Sequence, residues 1–348
     1  MKLSELRIGD LTAKIPIIQG GMGVGVSLSN LSSAVANEGG IGIISGVQIG
    51  FREHDFSINP IEANLRALGS EIRKAREKSK GIIGMNLMAA MNNYELYVKE
   101  AVKEKIDLII SGAGLPITLP KLVKDSNTKI APIVSSAKAA RIIINSWLKQ
   151  DRLPDAVVVE GPLAGGHLGF KSEELLENTC KTLKQLTIEV KELIKTYEEK
   201  YNVKIPIISG GGIRTKTDME EIINAGADGV QLASVFVPTI ECDAHENFKL
   251  AYINATHEDV FIIKSPVGMP ARAIRTNFLS NALENGCEPI KKCYGCMPKC
   301  EADKIPYCIS VGLINSVQGK DGLIFSGANL ESINKMTTVK EVISSFID

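Results

Sequence analysis

The chain has 348 residues, 44% of them hydrophobic, and its 40 Lys and Arg balance 40 Asp and Glu, an ordinary composition for one large globular domain or two small ones. A net charge of zero argues against a basic face that tracks phosphates, so nucleic acid is not expected as a partner. No apolar run approaches the roughly 20 residues that span a bilayer, and the start, Met1-Lys2-Leu3-Ser4-Glu5, lacks the apolar stretch of a signal peptide, which predicts a cytoplasmic protein without a membrane segment.

From residue 15 onward, short β-branched runs recur, each closing on small or polar residues before a segment with helical spacing. The runs are IPIIQGG (15–21), IGIISG (41–46), GIIGMNLM (81–88), LIISGAG (108–114), KIAPIVSS (129–136), AVVVEG (156–161), PIISGGG (206–212) and GVQLASVF (229–236). Continuous apolar runs without strict alternation are the mark of parallel strands covered on both faces. Between them, LSNLSSAVANEGG (28–40) starts near a serine that can cap a helix and ends on glycines. YELYVKEAVKEKI (94–106) and AKAARIIINSWLKQ (137–150) carry apolar residues three and four apart. Eight βα units in about 235 residues predict a (β/α)₈ TIM barrel, with a doubly wound open sheet as the alternative. The polar residues at the strand ends, Gln19, Ser45, Asn86, Ser111, Ser135, Glu160, Ser209 and Ser234, favour the barrel, which gathers its active site there.

Two stretches exceed the minimal unit. Residues 171–204 are strongly charged, with Leu175, Leu176, Leu183, Leu186, Val190, Leu193 and Ile194 at roughly helical spacing, so the sixth crossover is expected to hold an extended helix or a helical pair. Residues 1–240 are read as the barrel domain. Residues 241–348, closing on TTVKEVISSFI (337–347), are read as a C-terminal helical elaboration folded over the barrel mouth.

The most informative local feature is SGGGIRT, with Ser209, Gly210, Gly211 and Gly212 at the seventh strand end, followed by Gln231, Ala233 and Ser234 around the eighth. Glycines let backbone N–H groups approach an anion, and a helix N-terminus beyond them favours negative charge. The reading is a phosphate cradle, the alternative a tight strand-to-helix turn. In EGPLAGGHLGF (160–170), His167 lies between the pair Gly165-Gly166 and Gly169, which cannot shield it, so its imidazole is expected to face the site as an acid or base. His54, His245 and His257 sit in polar contexts and are read as surface residues. IQGGMG (18–23) lets backbone approach a flat ligand at Gly21, Met22 and Gly23.

Taken together, PIIQGGMG, GMNLM, SGAGLP, EGPLAGGHLGF, IPIISGGGI and GADGVQLASVF, in order over residues 15–278, resemble the FMN-dependent nitronate monooxygenases. These were formerly called 2-nitropropane dioxygenases, and the family includes the flavin-dependent enoyl-acyl-carrier-protein reductase II. The resemblance implies an FMN-binding (β/α)₈ barrel with the phosphate near Gly211, Gly212, Ala233 and Ser234. The isoalloxazine would lie against Gly21, Met22 and Gly23, with Asn86 and Gly166 nearby, and His167 would activate the substrate. Ser135, the long sixth crossover and the cysteine cluster depart from the compact form of the family.

The implied activity is oxidation of an alkyl nitronate by O₂, with NAD(P)H-dependent reduction of an enoyl thioester as the alternative. The partner would be that small-molecule substrate, and a homodimer is left open. An acyl carrier protein would need a basic patch, for which Lys291, Lys292, Arg272 and Arg275 are candidates. Cys293, Cys296, Cys300 and Cys308 form a C-x₂-C-x₃-C-x₇-C arrangement. It can converge on an iron–sulfur cluster or on zinc, and free or loosely paired thiols, with Cys287 as another partner, are the third reading.

Overall fold

Each of the eight apolar runs forms one strand: β1 (Ile17–Gln19), β2 (Ile41–Ser45), β3 (Ile82–Met88), β4 (Leu108–Gly112), β5 (Lys129–Val134), β6 (Val157–Glu160), β7 (Ile207–Gly210) and β8 (Gly229–Leu232). The structure, a computed structural model, describes residues 4–290, 292–298, 300–301 and 303–347. Its strands close into a parallel barrel in the order β7-β8-β1-β2-β3-β4-β5-β6, with β6 and β7 completing the ring through pairs such as Val157 with Ile207. The open-sheet alternative is excluded.

The uninterrupted apolar runs follow from this closure. Val158 and Ile208 point into the barrel, where they pack with Ile18, Ile43 and Ile110. Their neighbours Val157, Val159 and Ile207 point outward into the layer between strands and helices. Alternate side chains therefore enter two different apolar environments, and neither face of a strand has a place for a solvated residue. A short hairpin of Leu6–Ile8 with Leu11–Ala13, not foreseen from the sequence, brings Leu6, Ile8 and Ala13 into the inner cluster.

The helices between strands are α1 (Ser29–Asn37), α2 (Pro60–Lys78), α3 (Tyr94–Lys103), α4 (Leu119–Leu122), α5 (Ala137–Leu148), α6 (Leu183–Tyr201) and α7 (Lys216–Asn224). The sixth crossover is the helical pair form, a short Ser172–Leu176 helix preceding α6. Leu183, Leu186, Val190, Leu193 and Ile194 are buried as the spacing required, whereas Leu176 is left exposed. The start of α1 differs from the expected serine cap. The N-cap is Leu28, and the carboxylate of Asp243 accepts from the backbone N–H groups of Leu28, Asn30 and Leu31. A group far along the chain thus satisfies donors that the local sequence leaves open.

After β8 come α8 (Glu246–Asn254), β9 (Val260–Lys264), β10 (Pro270–Ile274), α9 (Asn277–Glu284), α10 (Ile309–Val317), β11 (Ile324–Phe325) and α11 (Val339–Ile347). Strand β10 pairs antiparallel with β9, with β11, and with the two residues Gly166 and His167 of the loop after β6. Phe248, Tyr252, Ala273, Leu313 and Leu323 pack with Val24, Val26 and Phe51 from the loops after β1 and β2, so the elaboration covers the C-terminal mouth. Helix α11 leaves it again. It packs against α1, α7 and the turn at 234–236, with Val339, Val342, Ile343 and Phe346 in the outer barrel cluster, the place an eighth barrel helix takes.

Candidate active site

The strand ends and the elaboration enclose a cavity of about 290 Å³ at the barrel mouth. Of the polar residues at the strand ends, Ser45, Asn86, Glu160 and Ser234 line it. The others are used inside the wall. Gln19 accepts from the Ile43 N–H, Ser111 bonds Tyr94 and the Leu87 carbonyl, and Ser135 lies against Gly169. Ser209, expected in the phosphate cradle, is also placed elsewhere: its hydroxyl bonds Thr187 of α6 at 2.8 Å and it does not line the cavity. Residues along a strand alternate faces, so when Gly210 faces the mouth, Ser209 turns to the helices.

The glycine positions match a close-fitting ligand. Gly211 and Gly212 have φ of 109° and 91°, and a Cβ on Gly212 would stand 2.9 Å from Leu163 Cβ. Only glycine adopts this turn while leaving room beside it. Gly21 faces Asn86 so closely that a Cβ would stand 2.3 Å from Asn86 Cβ. Met22, Gly23, Gly166, Gln231 and Ala233 line the same cavity, as expected.

Among the described residues, two buried polar atoms of this wall have no hydrogen-bond partner, Arg214 Nε and Ser326 Oγ. Neither was singled out from the sequence. Arg214 directly follows the glycines and could have been found as a cation beside an anion cradle. Ser326 lies in the elaboration, with no local signal. Its segment is fastened to β10, to the loop after β6 and to the turn after β8: Ser326 N–H donates to the Arg272 carbonyl, Ala328 N–H to the Leu163 carbonyl, and Gly327 N–H to Ser234 Oγ.

His167 is partly buried. Its Nε2 lies 2.8 Å from Ser265 Oγ, and its ring meets that of Phe325 edge-on with centroids 5.1 Å apart. Loss of solvent pushes its pKa down to about 4, so the imidazole is uncharged near neutral pH. Glu160, behind it at the end of β6, is pushed up to about 7 by burial. The other histidines are exposed, and His245 caps α8 by accepting from the Asn247 N–H.

The candidate cations for a basic patch are placed differently from one another. Arg272 is buried, donating to the carbonyls of Pro162 and Ala164, where it braces the His167 loop. Arg275 lies over the Phe261 ring and Lys292 over the Tyr294 ring. Lys291 lies outside the described residues.

Of the expected metal ligands, Cys293 is exposed, and Cys296, Cys300 and Cys308 are partly buried, with Cys296 in the cavity wall. All are free thiols, and among the described residues no three of their sulfurs lie within 4.8 Å of one another. Two sulfurs on a single zinc, each bound at about 2.3 Å, stand about 3.8 Å apart, so this arrangement is not that of a formed zinc site.

A family profile described as nitronate monooxygenase matches residues 4–348. A Staphylococcus saprophyticus protein described as a probable nitronate monooxygenase is 26% identical over 301 residues, 80% of this chain and 81% of that one. A Mycobacterium tuberculosis protein named (3aS,4S,5R,7aS)-5-hydroxy-7a-methyl-1-oxo-octahydro-1H-indene-4-carboxyl-CoA dehydrogenase is 26% identical over 276 residues, 78% of this chain and 66% of that one. Among solved structures, FabK from Thermotoga maritima aligns with a TM-score of 0.73 at 25% identity, covering 96% of this chain and 92% of that one. A nitroalkane oxidase from Streptomyces ansochromogenes has a TM-score of 0.73 at 18% identity, covering 96% and 95%, a likeness of fold.

Proposed function

Because the chain belongs to the nitronate monooxygenase family, we propose that this oxidoreductase binds FMN at the barrel mouth and oxidises alkyl nitronates with O₂ to a carbonyl compound and nitrite. A flavin phosphate is supported by the cradle at Gly211 and Gly212 and by the two unpartnered polar atoms, Arg214 Nε and Ser326 Oγ, in the same cavity. Gly211, Gly212, Ala233, Ser234 and Arg214 would hold that phosphate. Gly21, Met22, Gly23, Asn86 and Gly166 would flank the ring system. FMN, when bound, supplies the electron exchange between nitronate and oxygen.

The observation that carries the substrate class is the uncharged His167, held by Ser265 in a largely apolar wall. A group with a pKa of about 4 is a weak base, poorly suited to pulling the α-proton from a neutral nitroalkane. Hydrogen bonding to an anionic nitronate asks less of it, and the approaching negative charge would itself raise the imidazole pKa. The enclosing segment at 324–329 and the apolar walls at Phe325 and Leu313 keep water from the reacting atoms.

A second reading, hydride chemistry on an acyl thioester, is favoured by one observation: a relative named as a carboxyl-CoA dehydrogenase is as similar as the nitronate monooxygenases. Burial of Arg272 weakens it, because one of its four candidate cations is committed to the barrel loop. The deciding experiment is a steady-state assay of the FMN-loaded protein with a propyl nitronate under air, measuring nitrite, beside crotonyl thioester with NADH. Nitrite release with no thioester reduction supports the proposal. Thioester turnover without nitrite transfers the site to the second reading.

A further inference from the structure

Four of the seven cysteines are grouped. The thiols of Cys293, Cys300 and Cys308 all act electrostatically on Cys296, those of Cys293 and Cys308 act on Cys300, and that of Cys293 acts on Cys308. The remaining three stand apart. Cys242 is buried against the Val26 carbonyl, Cys180 interacts with Glu174 and Arg272, and Cys287 is exposed and is not among the thiols acting on Cys296, Cys300 or Cys308.

Polar groups also stand beside Cys293, Cys296 and Cys308. The Gly295 N–H donates to Cys293 Sγ at 3.4 Å. Cys308 is the N-cap of α10, where the backbone N–H groups of Ser310 and Val311 work to lower the pKa of its thiol, as the Ser310 side chain does at Cys296. Burial and the neighbouring thiols outweigh these groups and hold Cys296, Cys300 and Cys308 above the ordinary thiol value, an opposition that bound metal removes, since a coordinating thiol is deprotonated outright. The loop that carries them is anchored to the barrel. Asn92, after β3, donates its backbone N–H to the Cys296 carbonyl and its side-chain amide to the Gly295 carbonyl, and Tyr294 stacks on Phe56 at 4.9 Å.

The sulfurs are thus mutually close, yet no three of them approach within 4.8 Å. A single ion would draw them to about 3.8 Å. A four-iron cube seats each thiolate on its own corner and so holds the sulfurs farther apart than a single ion does. We propose that Cys293, Cys296, Cys300 and Cys308 bind a [4Fe–4S] cluster at the edge of the barrel mouth. On ligation each thiol gives up one proton and forms one sulfur–iron bond to a preassembled cluster, so four protons are released and no electron is transferred. The cluster fixes the 293–308 loop and with it Cys296 and Met297, which form part of the cavity wall.

The test uses the full chain, purified anaerobically and reconstituted with ferric iron, sulfide and a thiol that reduces part of the iron, with iron, acid-labile sulfide and zinc measured together. The expected content is about four iron and four sulfide per chain, with a paramagnetic signal after one-electron reduction. Cys296→Ser and Cys300→Ser should lose most of both, and Cys287→Ser should keep them. Circular dichroism on the same samples separates loss of the cluster from loss of the fold. Near-stoichiometric zinc without sulfide overturns the proposal, as does less than about a tenth of an equivalent of iron after reconstitution, or a Cys287→Ser variant as depleted as Cys300→Ser. The readout is independent of flavin and of turnover, so it stands or falls separately from the activity proposed above.

Discussion

The charge state of His167 is set by what surrounds it. Ser265 and Phe325 come from the elaboration, and together with the apolar wall they keep the ring neutral. His167→Ala is expected to retain FMN and lose roughly 10²- to 10³-fold in turnover, the cost of removing one hydrogen-bond donor to an anion, measured as nitrite release with flavin content checked by absorbance; unchanged turnover would remove its assigned role. Glu160 carries the opposite perturbation, and the two can be separated by pH. The unfolded chain titrates histidine near 6.5 and the native ring near 4. Between these values the unfolded state binds more protons, so the His167 contribution to stability is complete above about 6.5 and lost as pH falls through 4. For Glu160 the native value near 7 lies above the ordinary 4.5, the native state binds more protons between them, and stability is lost as pH rises through that interval. Glu160→Gln should therefore raise the melting temperature of the flavin-free protein at pH 8 and leave it nearly unchanged at pH 4.5. A uniform shift at both would mean that the buried charge is not what the substitution relieves. His167 was legible in the sequence because glycines on both sides left it nothing local to pack against. Its environment was not, because the partners arrive from distant segments.

At the scale of elements, the loop from β7 to α7 depends most strictly on residue type. Gly212→Val would place a side chain against Leu163 at a φ of 91°, strained and in the cradle at once. The variant is expected to purify without yellow colour while its far-ultraviolet spectrum keeps the barrel signature; full flavin retention would place the phosphate elsewhere. All eight strands could be read from the sequence, since burial on two faces writes itself as an unbroken apolar run. What could not be read was which strand-end side chain turns inward. A run such as PIISGGG reveals its length but not its phase, and Ser209 went to α6 for that reason. The α1 cap was hidden differently, because its carboxylate acceptor, Asp243, enters from beyond β8.

For the whole molecule, the return of the chain to the barrel is the decisive connection. Phe346 is 1% exposed within the outer cluster, and Phe346→Ala should cost about 3–5 kcal/mol, read as a lower denaturant midpoint. A change below about 0.5 kcal/mol, the range of ordinary surface substitutions, would mean that α11 only rests on the ring. The amphipathic spacing of residues 337–347 made the helix legible, but nothing in it told which layer its apolar face would join.

The position of α11 also sets an order of events during synthesis. All eight strands have been made once residue 232 is complete, yet the helix that fills the gap between α1 and α7 begins only at Val339. At about 5–20 residues per second, the ribosome takes several seconds to cover that distance. Throughout this interval the nascent barrel presents an open apolar groove on its flank, while the segments that will cover the mouth are still emerging. The elaboration has the opportunity to settle over the cavity before the outer ring can be completed, so closure of the flank follows construction of the active-site roof.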